Sequence, residues 1–247
     1  MAEQITSLLQ ALQNPDGNVR SRAALQLGEL QDRRALDALI ELLQRETDLA
    51  VREDVTWALA RLGDDALEPL IGLLRHDDRT VRHHAAHALG KLGHRRAVDG
   101  LLDALADEDP AVVAKAALAL GQIGDEQAIP ALVSLLAHEH DGVRETAMSV
   151  LERFDRAALP ALIGALSDER AQVREHAADI LGLIGEPEAA PALAKVANDP
   201  NVQVRLSVVT ALGIIGGNIA RHTLKAMQED SDQNVRQLAS RMLERLR

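Results

Sequence analysis

The chain has 247 residues, with 38 acidic residues against 27 Lys plus Arg, no Cys, no Tyr, one Phe and one Trp. A formal charge of -11 repels a phosphate backbone and the scarcity of aromatics leaves no platform for stacked bases, so no nucleic-acid partner is expected. The absence of cysteine removes disulfides, thiolate metal cages and a cysteine nucleophile from consideration.

No apolar run approaches the roughly 18 residues that a membrane span needs. Met1 to Gln10 also lacks the basic and then apolar stretches of a secretion signal. A cytoplasmic protein with no membrane partner is the expectation. With 47% apolar residues but only two aromatics, the core must be built of Ala, Leu, Ile and Val, which suits closely packed helices.

A first helix is predicted at about Glu3 to Gln13. From there the dipeptide Val-Arg recurs at Val19, Val51, Val81, Val143, Val173, Val204 and Val235, with Val112-Val113 filling the gap. Successive valines are 32, 30, 31, 31, 30, 31 and 31 residues apart. Eight registered units at this period predict a solenoid, in which each unit buries its apolar face only by stacking on its neighbours. In the third unit, Val81, Ala85, Ala86, Leu89 and Leu92 have helical spacing, Gly93 stops the helix, and Val98, Leu101, Leu102 and Leu105 form one face of a second helix. Each unit is therefore a helical hairpin, and the chain is predicted to have about 16 helices, ending with a lone helix from Val235. Asp16, Asp48, Asp78, Asp109 and Asp232, each four residues before the arginine position, are expected to cap the first helix of their units. Pro15, Pro110, Pro187 and Pro200 are placed in connections, and Pro69, Pro130, Pro160 and Pro191 near the start of the second helix, where a proline costs little.

The run of Val-Arg, a small-residue pair, Ala-Leu-Gly and Gly-Asp, seen in Val112 to Asp125 and Val173 to Gly185, resembles the HEAT-like repeats of the phycobilin-lyase type. The resemblance covers essentially the whole chain and implies a right-handed α-solenoid, a single domain over 1–247. The fifth repeat departs from it, with Glu152 and Asp155 in place of the two glycines, and the fourth has Val113 in place of the arginine. A local change in helix packing or superhelix pitch is expected there.

If the positions three, four, seven and ten residues after the arginine are buried, those one, five and nine after it form the opposite stripe. By the resemblance, that stripe lines the concave surface. It is chemically varied, as a binding surface is. The candidate partner-binding residues along and beside it are Glu53, Asp54, Trp57, Arg61, His83, His84, His87, Lys91, Glu145, Glu175 and Asp179. Trp57, the one tryptophan, is the natural aromatic anchor. His83 and His87, at i and i+4, could present two imidazoles to a metal, with Glu53 or Asp54 one repeat earlier completing a site. The deoxyhypusine-hydroxylase family holds a di-iron centre with His-Glu pairs where this chain has Glu53-Asp54, His83-His84, Glu145-Thr146 and Glu175-His176, and none of these is a His-Glu pair. No cofactor and no metal are therefore expected.

No triad spacing and no phosphate-cradling glycine loop is present, so no catalytic residue is assigned. The leading expectation is a non-enzymatic adaptor that binds a basic or mixed-charge protein or peptide in its concave groove. The resemblance implies an alternative, a bilin lyase-like or phycobilisome-associated factor that holds a chromophore or client; a di-metal hydroxylase is a third reading. An exposed flank on the last helix, around Met242, Leu243 and Leu246, would permit end-to-end self-association.

Overall fold

The computed structural model describes residues 2–246, and among these there are 16 α-helices, seven short 3-10 turns and no strand. The first helices of the hairpins are Gly17–Leu30, Leu49–Arg61, Arg79–Leu92, Pro110–Ile123, Asp141–Arg153, Ala171–Ile184, Val202–Ile215 and Gln233–Arg245. The second helices are Ala2–Ala11, Leu36–Arg45, Asp64–Leu73, Val98–Asp103, Ile129–Ser134, Leu159–Ala165, Ala190–Lys195 and Gly217–Met227. The chain folds as two compact units, Met1–Asp125 and Glu126–Arg247. In each, first helices stack on the first helices of adjacent repeats, and second helices pack against their own partners, giving an all-α solenoid. No described helix is long and apolar enough to cross a membrane.

Local chemistry sets the helix ends. Asp16, Asp48, Asp78, Asp109 and Asp232, joined by Asn201, accept backbone N–H groups in the first turn of their helices. Eleven residues after the arginine position of the first seven repeats the backbone turns left-handed: Gly93, for example, has φ 70° and closes its helix by donating to the Leu89 carbonyl at 3.0 Å. Asp155 keeps that turn at φ 50°, and so does Gln31. The fifth repeat therefore retains the turn without its glycine, at a cost of about 1 kcal/mol.

Three, four and seven residues after the arginine, the side chains are buried almost throughout, as in Ala85, Ala86 and Leu89. The tenth position is buried at Leu62, exposed at Leu30 and only partly covered elsewhere. The sequence pattern misses a second buried row at the sixth position, in Ala58, Ala88, Ala119, Val150, Ile180 and Ala211, joined at the eighth by Gly28, Gly90 and Gly182, where adjacent first helices meet. A Cβ on Gly90 would sit 2.9 Å from Ala119 Cα, and one on Gly182 would sit 2.8 Å from Ala211 Cα. Those glycines let two backbones approach closely. Two proline placements need correction. Pro110 is the first helical residue rather than part of a connection, and Pro69 lies inside Asp64–Leu73, because this second helix starts directly after Gly63 without a 3-10 turn.

The arginines themselves are the frame's main polar device. Arg82 donates from Nε and Nη2 to both oxygens of Asp107, at 2.6 and 2.8 Å, and from Nη1 to the carbonyls of His76 and Asp77, both at 3.0 Å. Arg20 with Glu46, Arg174 with Asp199, and Arg205 with Asp230 repeat the arrangement. Each acid lies in the turn that opens the next repeat and accepts a backbone N–H there, as Asp107 does from Asp109 at 2.9 Å. These pairs are well shielded, with Arg82 and Asp107 only 9% and 8% exposed. Removing one partner of such a buried, bidentate pair costs about 3–5 kcal/mol, because the other charge stays buried.

The clamps also set the acid sensitivity. The Arg20 hydrogen bonds hold the Glu46 carboxyl below its ordinary value. Burial pushes Asp199 and Asp230 up, but Arg174 and Arg205 with the backbone N–H groups outweigh it and leave both below the usual range. A carboxylate depressed in the folded state stabilises it fully above the unfolded value, about 4, and this contribution is lost as pH falls through the lower folded value. The melting midpoint of the wild type should drop as pH is lowered from about 4 to about 2. The drop should be smaller in Asp230→Asn, measured by circular dichroism; an equal drop in both would contradict the clamp at Asp230.

Candidate functional site

The second and third repeats bring most of the candidate residues together. Leu49–Arg61 carries Glu53, Asp54, Trp57 and Arg61, and the adjacent Arg79–Leu92 carries His83, His84, His87 and Lys91. Glu53, Arg61 and Lys91 are exposed, while Asp54, Trp57, His83 and His87 are partly covered. Asp54 accepts a hydrogen bond from the Ser21 hydroxyl of the preceding repeat. The Trp57 ring is not a free-standing anchor: its Cζ3 edge lies over Gly28, where a Cβ would be 2.8 Å away. Its face is approached by the Arg61 guanidinium, 5.8 Å from the ring centroid.

The three histidines divide by environment. His83 is partly exposed, with Nδ1 3.2 Å from the Ala111 carbonyl, a contact in which Nδ1–H donates. His84, grouped with the groove residues by sequence, is in fact buried, only 4% exposed, with Nδ1 3.2 Å from Thr56 Oγ1. The Thr56 hydroxyl donates to the Arg52 carbonyl at 2.8 Å, so its lone pair faces the ring. His87 Nδ1 is 3.4 Å from Glu53 Oε1; it is buried and has no hydrogen-bond partner. Burial pushes His84 down to about 4, helped by His83, Arg52 and His87 against the opposing pull of Glu53. Burial and Lys115 lower His87 as well. Both rings are thus held neutral near pH 7. The pairing expected from i,i+4 spacing, His83 with His87, is replaced by a closer triplet of Glu53, His84 and His87.

Beside this triplet an open cleft of about 390 Å³ is lined by Leu49, Glu53, Arg79, His83, His84 and Asp109. Arg79 Nη1 donates to Asp109 Oδ2 at 2.6 Å, so the rim offers a cation and carboxylates within one site. Leu49, at 67% exposed, adds an apolar floor that sequence periodicity did not single out.

The other candidates belong to the second unit. Glu145 is exposed and Glu175 half-buried. Burial pushes the Asp179 carboxyl up, against the lowering effect of a Ser207 hydrogen bond. Nine residues after the arginine, Leu183 and Ile214 are more than half exposed, at 56% and 53%, so this part of the stripe is more apolar than the first unit's. A cleft of about 560 Å³ at the end of this unit is bordered by Arg221, Lys225, Gln228, Leu243 and Glu244.

The sequence pattern of the HEAT-repeat family matches residues 5–86, 67–152 and 155–244. The chain is 38% identical over 98 residues to the phycocyanobilin lyase subunit alpha of Picosynechococcus sp. (strain ATCC 27264 / PCC 7002 / PR-6), covering 36% of this chain and 37% of that one. It is 47% identical over 58 residues to the bilin biosynthesis protein PecE of Mastigocladus laminosus, covering 23% and 22% of the two chains. The matched stretches thus span about a third or less of those relatives. The karyopherin Kap121p aligns with 99% of this chain and 33% of its own at a TM-score of 0.59 and 16% identity, a likeness of fold alone.

A histidine depressed in the folded state leaves the unfolded chain binding a proton that the folded chain does not, so it lowers stability as pH falls below about 6.5. The imidazole C–H signals of His84, followed by NMR in EDTA-treated protein, should therefore hold constant from about pH 7.5 to 5 and move only nearer 4. A midpoint at the ordinary value of 6.5 would contradict its burial.

Proposed function

The chain belongs to the HEAT-repeat family, and we propose that it is a bilin lyase-like protein that holds an open-chain tetrapyrrole, or the protein that carries one, on the first-helix stripe. The observation that carries this reading is the sequence likeness to two bilin proteins, at 38% and 47% identity over the matched stretches. One of them is named as a subunit, which supports a protein partner.

The site chemistry is consistent with such a ligand. A linear tetrapyrrole combines a long apolar body, pyrrole N–H donors and propionate anions. The cleft beside repeats two and three pairs the exposed Leu49 with the carboxylates of Glu53 and Asp109, which accept N–H groups, and with Arg79, which can bind a propionate. Trp57 and Arg61 extend it along the same helix. The chain has no cysteine, so a thiol that receives the pigment would have to be on the client. The part played by this chain would then be to hold and orient.

A second reading is a pigment-free adaptor that binds a basic or mixed-charge segment in the concave groove. It is favoured by the acids of the stripe, Glu53, Glu145, Glu175 and Asp179, whose complementarity would chiefly set orientation and association rate.

Phycocyanobilin added to the purified chain should show a shifted, intensified visible band and quench the fluorescence of Trp57, the one tryptophan. In Arg79→Gln the affinity should fall about tenfold, the effect of losing about 1.4 kcal/mol. If the spectrum and fluorescence are unchanged but an apo-phycobiliprotein is retained on the immobilised chain, the adaptor reading stands. If neither pigment nor apoprotein binds, the bilin reading falls.

A further inference from the structure

We propose that Glu53, His84 and His87 form a binding site for one zinc-class divalent transition cation. The inference is independent of the bilin reading, since it rests on donor geometry alone.

One ligand-capable atom from each of the three side chains lies within 4.8 Å of the others. Glu53 Oε1 is 3.4 Å from His87 Nδ1 and 3.8 Å from His84 Nδ1. A tetrahedral zinc ion with bonds of about 2.0–2.1 Å separates its ligands by about 3.4 Å. Of the three edges, Glu53 to His87 therefore already matches, Glu53 to His84 needs a small contraction, and His84 to His87, within 4.8 Å, must close as the cation draws the rings together. Two imidazoles and one carboxylate form a nitrogen-rich set that suits zinc and its neighbours rather than calcium or magnesium. Glu53 and His84 also line the adjoining cleft, so a fourth position opens toward solvent or a ligand.

One further observation favours a cation over mere packing. His87 Nδ1 is buried with no hydrogen-bond partner, an arrangement that costs stability unless something satisfies it. Binding at His84 Nδ1 would exchange its 3.2 Å contact with Thr56 for the cation and leave the ring's proton on Nε2. His84 and His87 lie one turn apart on Arg79–Leu92, and Glu53 comes from the adjacent helix, so the ligands sit on two packed elements rather than on a loop.

The test is titration of the full chain, stripped with EDTA and dialysed, with Zn²⁺ in competition with a chromophoric chelator, and with Co²⁺ to read coordination from its visible bands. The expected result is one equivalent bound at micromolar or lower Kd, with the intense cobalt bands of a four-coordinate site. Glu53→Gln and His87→Gln should each weaken binding by at least about tenfold. Glu53 is about half exposed, so its variant keeps the fold, as circular dichroism would verify. His83→Gln and the double variant His138→Gln/His140→Gln should bind as the wild type does. The proposal is overturned by any of three results: no saturable equivalent, binding that survives both Glu53→Gln and His87→Gln, or binding lost in the His138/His140 variant.

Discussion

The structure depends on how a buried guanidinium is satisfied. An arginine near the start of a helix cannot lose its charge, so every N–H it buries must find an acceptor. Arg20, Arg82, Arg174 and Arg205 find theirs in the carbonyls of the turn just before their own helix and in a carboxylate 25 or 26 residues further on. That carboxylate in turn accepts an N–H in the turn that starts the next repeat. The clamp thus fixes both the entry to one helix and the distance to the next. The clamped stretch tolerates little change in repeat length, in keeping with spacings that stay between 30 and 32.

One exception follows the same logic and one departs from it. Where Val113 replaces the arginine, the residue 25 positions on is His138 rather than an acid, so neither half of the pair is left buried without the other. Arg52 is only 7% exposed, and its buried Nε has no acceptor. It lies in the repeat that also carries Glu53, next to the unsatisfied His87 Nδ1 repeat. Polar satisfaction is therefore poorest where the candidate ligands converge, a pattern expected of sites that give up local stability for function.

Much of the frame was legible in the sequence because it is local. Val-Arg, the capping aspartates and the left-handed turn after each first helix all act within one hairpin, so their spacing is their geometry. Asp155 shows that the turn is set by the repeat rather than by glycine alone. What the sequence hid lies between repeats. The acid partners sit about 25 residues from their arginines and look like ordinary surface acids. Which backbones approach at Gly90 and Gly182 is visible only when Ala119 and Ala211 are placed against them. The site was hidden for the same reason: His83 and His84 differ by one residue, and helical spacing alone pairs either with His87. Only the neighbouring helix, with Glu53 and Thr56, shows that His84 faces inward and His83 toward the Ala111 carbonyl.

The clamp is the claim on which the rest stands, and a double-mutant cycle on Arg82 and Asp107 tests it most directly. Arg82→Met, Asp107→Asn and the double variant would be unfolded in urea alongside the wild type. The clamp predicts that the double variant loses less than the two single losses combined, with a coupling of at least about 1.5 kcal/mol. Losses that add within about 0.3 kcal/mol would contradict it and leave the repeat spacing to apolar stacking alone.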